Sequence, residues 1–455
     1  MSQFLGLAFS PYVGHWTGNP PKVPNWNSYS QQDIVRMLEV IAPHFDKIST
    51  YSMGVAGYPL TTPWNQVDSN CLVAGAAAQL NQQMGKIAIQ VAQGIYQLED
   101  GGLQQREIEA AFSAAKAANA LYPNTVTSLV FTNEYLVDAQ KTNAVNTMIV
   151  SNKQKAHNLN IKVGVRSHTF GEITNPQSHF YNELKTLIQN CDFIQCNLYP
   201  GMHSPNPTEG VNQVGQAFYQ IKTAVANINP QCEVTIGETG WPSQGISFNK
   251  TDNNVANLLA YYEAIKKWAF ENRALTYLFE AIDEPWKSNQ NSSDTLSPGG
   301  PNGAEGHYGL WYLNTQGGYT HKGGSSLGLK VALKASNQQY VSADFDRGGI
   351  LVANRDVLDD WETFELIKLD GNKNGLRAAN GQYVSADFNQ GAILVANRDL
   401  INEWEIFELI KRDGNKIGLR AANGQYISAD FNQGAILVAN RDRISDWETF
   451  ELIEK

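Results

Sequence analysis

Eight short apolar runs, each followed by a longer stretch, organise the first two thirds of this 455-residue chain. They are FLGLAFS from Phe4, KISTYS from Lys47, KIAIQVA from Lys86, TSLVF from Thr127, KVGVRS from Lys162, DFIQCNLY from Asp192, EVTIGE from Glu233 and ALTYLFE from Ala274. Several intervening stretches carry helical periodicity: DIVRMLEVIAPHF from Asp33, REIEAAFSAAKAANAL from Arg106 and NVANLLAYYEAIKKWAF from Asn254. Strand alternating with helix predicts a parallel α/β architecture. About three hundred residues suit one (β/α)8 TIM barrel with modest insertions. A doubly wound open sheet is the alternative, but no Gly-rich phosphate turn follows the first run.

Two of the runs stop at a glutamate: VFTNE at Glu134 and VTIGETGWPS at Glu238. In a barrel, strand C-termini floor the active site. Two carboxylates facing each other there can cleave a glycosidic bond; either one alone could simply solvate a loop. The same face receives Tyr51, Gln93, Asn133, His168, Tyr199, Trp241 and Glu284, a mixture of rings, amides and acids that suits a sugar cleft. Packing is the competing role for each ring. A retaining glycosidase requires carboxyls roughly 5 Å apart, one ionised to attack and one protonated to assist departure. Burial and the partner's anion would raise the protonated member's pKa. Neither HExxH, paired CxxC nor a GxxxxGK[ST] loop occurs, so no metal or other cofactor is expected.

GETGWPS around Glu238 resembles the nucleophile motif of glycoside hydrolase family 17, the β-1,3-glucanase family with a (β/α)8 fold. Asn133-Glu134 resembles that family's acid/base strand end, and FEAIDEPWK from Phe279 and EGHYGLW from Glu305 resemble its later segments. The resemblance spans roughly residues 4 to 315. It implies that Glu238 is the nucleophile and Glu134 the acid/base, with Glu284, Lys287 and Glu305 supporting the site. The stretch from Tyr199 to Cys232 is short, without the helical subdomain of plant members. That resembles the microbial branch, which includes glucanosyltransferases.

The last third repeats itself. QYVSADFDRGGILVANRDVLDDWETFELI from Gln339 returns, nearly unchanged, from Gln382 and Gln425, a period of 43 residues. Each unit reads as four short strands separated by Asn, Gly and Asp turns. Three WD40-like blades cannot close a propeller, which takes at least about four; three four-stranded units close an all-β β-trefoil. The repeats resemble fascin-like trefoil repeats, also found appended to carbohydrate-active enzymes. Leu376, Val384, Ile393, Val395 and Phe407 are expected in the core. The planar groups of Asp344, Asn354, Asp387, Asn397, Asp430 and Asn440 suit sugar hydroxyls, and equally suit turn capping and Arg-Asp pairing. The expected division is a barrel over 1–318, a Gly/Ser-rich linker over 319–327 and a trefoil carbohydrate-binding module over 328–455.

A net charge of −10 with 17% charged residues points to no nucleic-acid partner. No run reaches transmembrane length. Cys71, Cys191, Cys196 and Cys232 are expected as free thiols, and Asn249 and Asn291 head N-x-[ST] sequons. A monomer acting on β-glucan is expected. Its location is extracellular or cell-wall associated if a secretory leader has been removed, and otherwise cytoplasmic. Two function classes follow: a retaining enzyme on β-1,3-glucan, hydrolytic or transglycosylating, or a catalytically silent glucan-binding protein.

Overall fold

The computed structural model describes residues 4–13, 29–200, 204, 206–247, 253–288, 297–324, 328–369 and 371–454. The sequons at Asn249 and Asn291 lie outside them. The chain divides into two compact units, Phe4–Lys322 and the residues from Gly323 onward.

In the first unit eight parallel strands close into a barrel in chain order: β1 (Leu5–Ala8), β2 (Lys47–Ser49), β3 (Gln90–Ile95), β4 (Val126–Asn133), β5 (Lys162–Ser167), β6 (Phe193–Asn197), β7 (Glu233–Thr239) and β8 (Thr276–Leu278). Between consecutive strands lie helices α1 (Gln31–Ile41), α2 (Val73–Met84), α3 (Gly101–Leu121), α4 (Ala139–His157), α5 (Tyr181–Asn190), α6 (Pro207–Ile228) and α7 (Val255–Glu271). Their starts follow from capping chemistry. Ser30 and Asp33 form a reciprocal capping box on α1, while Asp100, Asp138, Asn206 and Asn254 cap α3, α4, α6 and α7. The eight strands and the three helical stretches of the sequence reading are all present. β3, expected from Lys86, starts at Gln90, because the Asn81 side chain accepts from the backbone N–H groups of Ala88 (2.7 Å) and Ile89 (2.8 Å).

The unit ends with an antiparallel hairpin, β9 (Trp311–Leu313) and β10 (Tyr319–His321). The buried Lys322 ammonium follows, donating to Asp283 Oδ1 and Ser243 Oγ, both at 2.7 Å. Residues 319–322, expected to open the linker, therefore belong to the barrel unit.

The second unit is all β, with an internal threefold pattern. Its strands are β11 (Leu329–Lys334), β12 (Tyr340–Asp344), β13 (Ile350–Arg355), β14 (Phe364–Lys368), β15 (Lys373–Arg377), β16 (Tyr383–Asp387), β17 (Ile393–Arg398), β18 (Phe407–Lys411), β19 (Lys416–Arg420), β20 (Tyr426–Asp430), β21 (Ile436–Arg441) and β22 (Phe450–Glu454). Each repeat contributes one hairpin: β12–β13, β16–β17 and β20–β21. The last strand of each repeat pairs with the first strand of the next, as β14–β15 and β18–β19, and β22 closes on β11. Leu376, Val384, Val395 and Phe407 are buried as expected, but Ile393 is only half-buried and Leu394 is buried beside it.

Each repeat makes one tight turn before its third strand. The first repeat has Gly349 there at φ 82°, whereas the others hold Ala392 at 61° and Ala435 at 63°. An alanine Cβ is disfavoured in this left-handed region. Replacing Ala392 or Ala435 by Gly should therefore raise stability, by about 0.5–1 kcal/mol each. An unchanged or lower midpoint in thermal unfolding of either variant would contradict the strain.

Candidate active site

At the end of β4 the pleat breaks. The β4–β5 register shifts between Val130 and Asn133, and Thr132 and Glu134 take positive φ values of 85° and 56°. A regular strand sends neighbouring side chains to opposite faces. The bulge instead brings both Asn133 and Glu134 to one cleft. A β-branched residue at positive φ is strained, by roughly 1–3 kcal/mol. On β7, Gly237 precedes Glu238. A Cβ at Gly237 would sit 2.9 Å from the Arg166 side chain and 2.7 Å from Gln195, so glycine lets the arginine stem lie against the strand.

Arg166 on β5 is fully buried. Its Nε donates to Asn133 Oδ1 at 2.8 Å, and its two Nη groups donate to Ser49 Oγ and the Thr50 carbonyl, each at 3.0 Å. The guanidinium lies over the Tyr51 ring, 4.3 Å from its centroid, and 3.5 Å from Glu238 Oε1. Glu238 Oε2 accepts from the Tyr199 hydroxyl at 3.1 Å, while Oε1 has no hydrogen-bond donor among the described residues. Glu134 Oε1 accepts from Asn197 Nδ2 at 2.9 Å and lies 3.5 Å from His168 Nδ1. Burial pushes the Glu238 carboxyl above its ordinary pKa. Arg166 and the Tyr199 hydrogen bond oppose that rise, and the Glu134 charge adds to it.

Lys287 Nζ donates to Glu280 Oε2 at 2.7 Å and pairs with Glu284, whose other oxygen accepts from Ser10 Oγ at 2.7 Å. Burial drives Glu280 well above the usual carboxylate range. It acts on Glu284 too, but Lys287, Glu280 and Ser10 together hold that carboxyl below the ordinary value. Glu134, Glu238, Glu284, Lys287 and Glu305 share one cleft of about 820 Å³.

Residues 6–309 match the family described as the BtgE/BtgC glycoside hydrolase domain, and residues 327–433 match a domain of unknown function (DUF7910). The chain belongs to the BtgE/BtgC glycoside hydrolase family. A glucan 1,3-beta-glucosidase of Candida albicans is 28% identical over 104 residues, 22% of this chain and 29% of that protein. One from Schizosaccharomyces pombe is 27% identical over 108 residues, 23% of this chain and 34% of that protein. The chain thus matches about a third of the length of these curated relatives. The solved endo-laminarinase from Formosa aligns with a TM-score of 0.52 and 16% identity over 68% of this chain and 84% of that one, a likeness of fold alone.

In this BtgE/BtgC glycoside hydrolase the expected residues take unequal places. Tyr51, Asn133, Glu134, Tyr199, Trp241, Glu238, Glu284, Lys287 and Glu305 all line the cleft. Trp241 does so with 2% of its surface exposed and its ring packed near Tyr261, which is a core position. His168 is outside the lining and meets the site at Glu134. Gln93 is buried and spends its amide on Thr50 Oγ1 and the Gly94 carbonyl. The sequence reading passed over Arg166, Asn197, Ser10 and Glu280. A charge inside the apolar run KVGVRS was the one available signal for Arg166.

The repeated aspartates turn inward. Asp387 is 3% exposed; it accepts from the Asn389 N–H at 3.0 Å, from Gln390 at 3.1 Å and from Arg398 at 3.2 Å. Asp430 repeats this arrangement with Asn432, Gln433 and Arg441. Asn397 and Asn440 accept from the same arginines, Asp344 is also buried, and Asn354 is exposed. Turn capping and Arg-Asp pairing account for the aspartates of the second and third repeats. The four cysteines are buried free thiols. Among the described residues no metal-binding cluster occurs, and no helix is long and apolar enough to cross a membrane.

Two outcomes follow from these contacts. Removing the Tyr199 hydroxyl takes away one of the groups holding the Glu238 pKa down. If Glu238 acts ionised, activity is lost as pH falls through its raised pKa, so in Tyr199→Phe the acid limb of kcat/KM should move upward by about one pH unit. A limb that stays put would separate Glu238 from that limb. Asp387→Ala removes the acceptor shared by the Asn389 N–H, Gln390 and one Nη group of Arg398, and should cost about 1–3 kcal/mol in thermal unfolding; an unshifted midpoint would return Asp387 to ligand duty.

Proposed function

We propose that the barrel is a retaining glycosidase acting on β-1,3-glucan, with Glu238 as nucleophile and Glu134 as acid/base. The unequal seating of the two glutamates in one cleft carries this reading. The Glu238 side chain is 7% exposed and held by Arg166 and Tyr199, whereas that of Glu134 is 42% exposed. A nucleophile must be held still, and an acid/base must reach first the departing oxygen and then water.

In this scheme Glu238 attacks the anomeric carbon while Glu134 protonates the leaving oxygen, giving a covalent glycosyl-enzyme. Glu134, now a carboxylate, takes a proton from the incoming nucleophile, whose oxygen displaces Glu238. Water completes hydrolysis; the hydroxyl of a second glucan chain completes transfer. Asn133 has its oxygen engaged by Arg166, which leaves its Nδ2 to donate to the sugar 2-hydroxyl. The β-1,3 linkage is supported by the matched glucan 1,3-beta-glucosidases. With this substrate the enzyme would work outside the cell or in a cell wall.

We read the second unit as a β-trefoil that anchors the enzyme on polysaccharide. Its three hairpins are joined by single rungs, Ile350–Val395, Val352–Ile436 and Ile393–Val438, a threefold closure. With the aspartates turned inward, sugar stacking falls to half-buried Trp361, Trp404 and Trp447, each edge-packed on a phenylalanine at 5.2–5.3 Å.

Glu238→Gln and Glu134→Gln should each lower turnover on laminarin by at least about a hundredfold. Glu134→Ala should regain rate with azide on an activated aryl glycoside, where departure needs no acid. Near wild-type activity in either Gln variant would refute the assignment. The variants should also differ in stability. A raised folded pKa means that ionised Glu238 costs stability, increasingly as pH rises through that pKa. Glu238→Gln should therefore keep or raise the neutral-pH unfolding midpoint, and the exposed Glu134 should matter little. Shorter laminarin products would mean hydrolysis, longer ones transfer.

A further inference from the structure

The cleft extends past the glutamates over the loops that follow β1 and β2, where a second polar cluster stands. Asp68 is 8% exposed and begins the short helical turn Ser69–Leu72. Its Oδ1 accepts from the Tyr12 hydroxyl and, at 2.9 Å, from the Asn70 backbone N–H. Its Oδ2 has no hydrogen-bond partner among the described residues. Gly54 sits at φ 73°, where a Cβ would fall 2.3 Å from Asp68, so the loop closes on the carboxylate only because it lacks one. Asn70 is 3% exposed, and its Nδ2 donates to Ser52 Oγ at 3.3 Å, while its Oδ1 is buried with no hydrogen-bond partner among the described residues.

A buried amide oxygen without a donor costs free energy unless something supplies one. Here two acceptors, on Asp68 and Asn70, line the same cleft as the rings of Tyr12, Tyr58 and Tyr96. Acceptors beside aromatic faces match a neutral polyol, whose hydroxyls donate while its C–H face stacks. Neither residue touches Glu134 or Glu238 through any hydrogen bond, so the chemistry of bond cleavage does not explain them.

We propose that Asp68 and Asn70 form a distal sugar subsite, accepting hydroxyl donors from a glucosyl unit away from the scissile bond and so setting the chain length that the enzyme prefers. This rests on the reading of the barrel as a β-1,3-glucan-cleaving enzyme. Burial pushes the Asp68 carboxyl up to about 6, against the opposing Tyr12 and Asn70 hydrogen bonds and with the Glu107 charge adding to the rise. That is the state of an acceptor still short of donors.

The test is kcat/KM across laminaribiose to laminarihexaose for the full chain and for Asp68→Asn and Asn70→Ala. Wild type should show a step upward at the length that first fills the subsite. Each variant should lose about tenfold of that step, carried by KM. Asn70→Ala removes no charge and keeps the test open if Asp68→Asn does not fold; the affinity of Glu134→Gln for laminarihexaose, with and without Asn70→Ala, gives a second readout. A step that survives in the folded variants, or an equal loss at every length, overturns the subsite and leaves the glucanase reading standing. Failure of wild type to cleave any member of the series overturns the glucanase reading and the subsite with it.

Discussion

A fully buried guanidinium governs this candidate active site. An unpaired charge at Arg166 would be prohibitively costly in a barrel interior, so the surrounding strands are committed to satisfying it. Ser49 and Thr50 of the β2 end, Asn133 of β4 and Glu238 of β7 all face it, and Tyr51 lies beneath it. These groups come from well-separated parts of the sequence. The arginine thereby fixes the distance between two strand ends that a barrel alone would leave loosely related. Gly237 belongs to the same constraint, since any side chain there would displace the arginine stem.

Glu238 feels both sides of this arrangement. Arg166 stabilises its charged form, yet burial outweighs the arginine and the carboxyl titrates high. Holding an anion in such a place destabilises the folded chain, a conflict usual at functional sites. The strained backbone at Thr132 and Glu134 is a second instance within the same site.

The barrel was legible because alternating strand and helix, with capping residues at the helix starts, is a local pattern. The glutamates were legible because each ends an apolar run. The bulge that lets Asn133 and Glu134 face the same cleft was not, since it depends on how β4 registers against β5. Arg166 was hidden for a related reason: a charge in KVGVRS reads as an exposed strand position until its partners are known. In the repeats, periodicity announced the strands. It could not tell a ligand-binding aspartate from a turn-capping one, because both need the same planar acceptor. Burial of Asp387 and its three donors favours turn capping at that position.

The charges on the cleft floor are arranged in pairs. Arg166 stands against Glu238, and Lys287 stands between Glu280 and Glu284. Because burial drives Glu280 upward, that residue takes a proton first, and Lys287 then largely answers the single charge of Glu284. Charge that develops on a sugar ring as its glycosidic bond breaks is positive; if Glu238 is the nucleophile proposed above, it meets that charge with one hydrogen-bond donor among the described residues, the Tyr199 hydroxyl on Oε2. On that proposal, a carboxylate whose Oε1 still lacks a donor is a group whose interaction with the sugar can strengthen as the transition state forms, which is the condition for electrostatic catalysis.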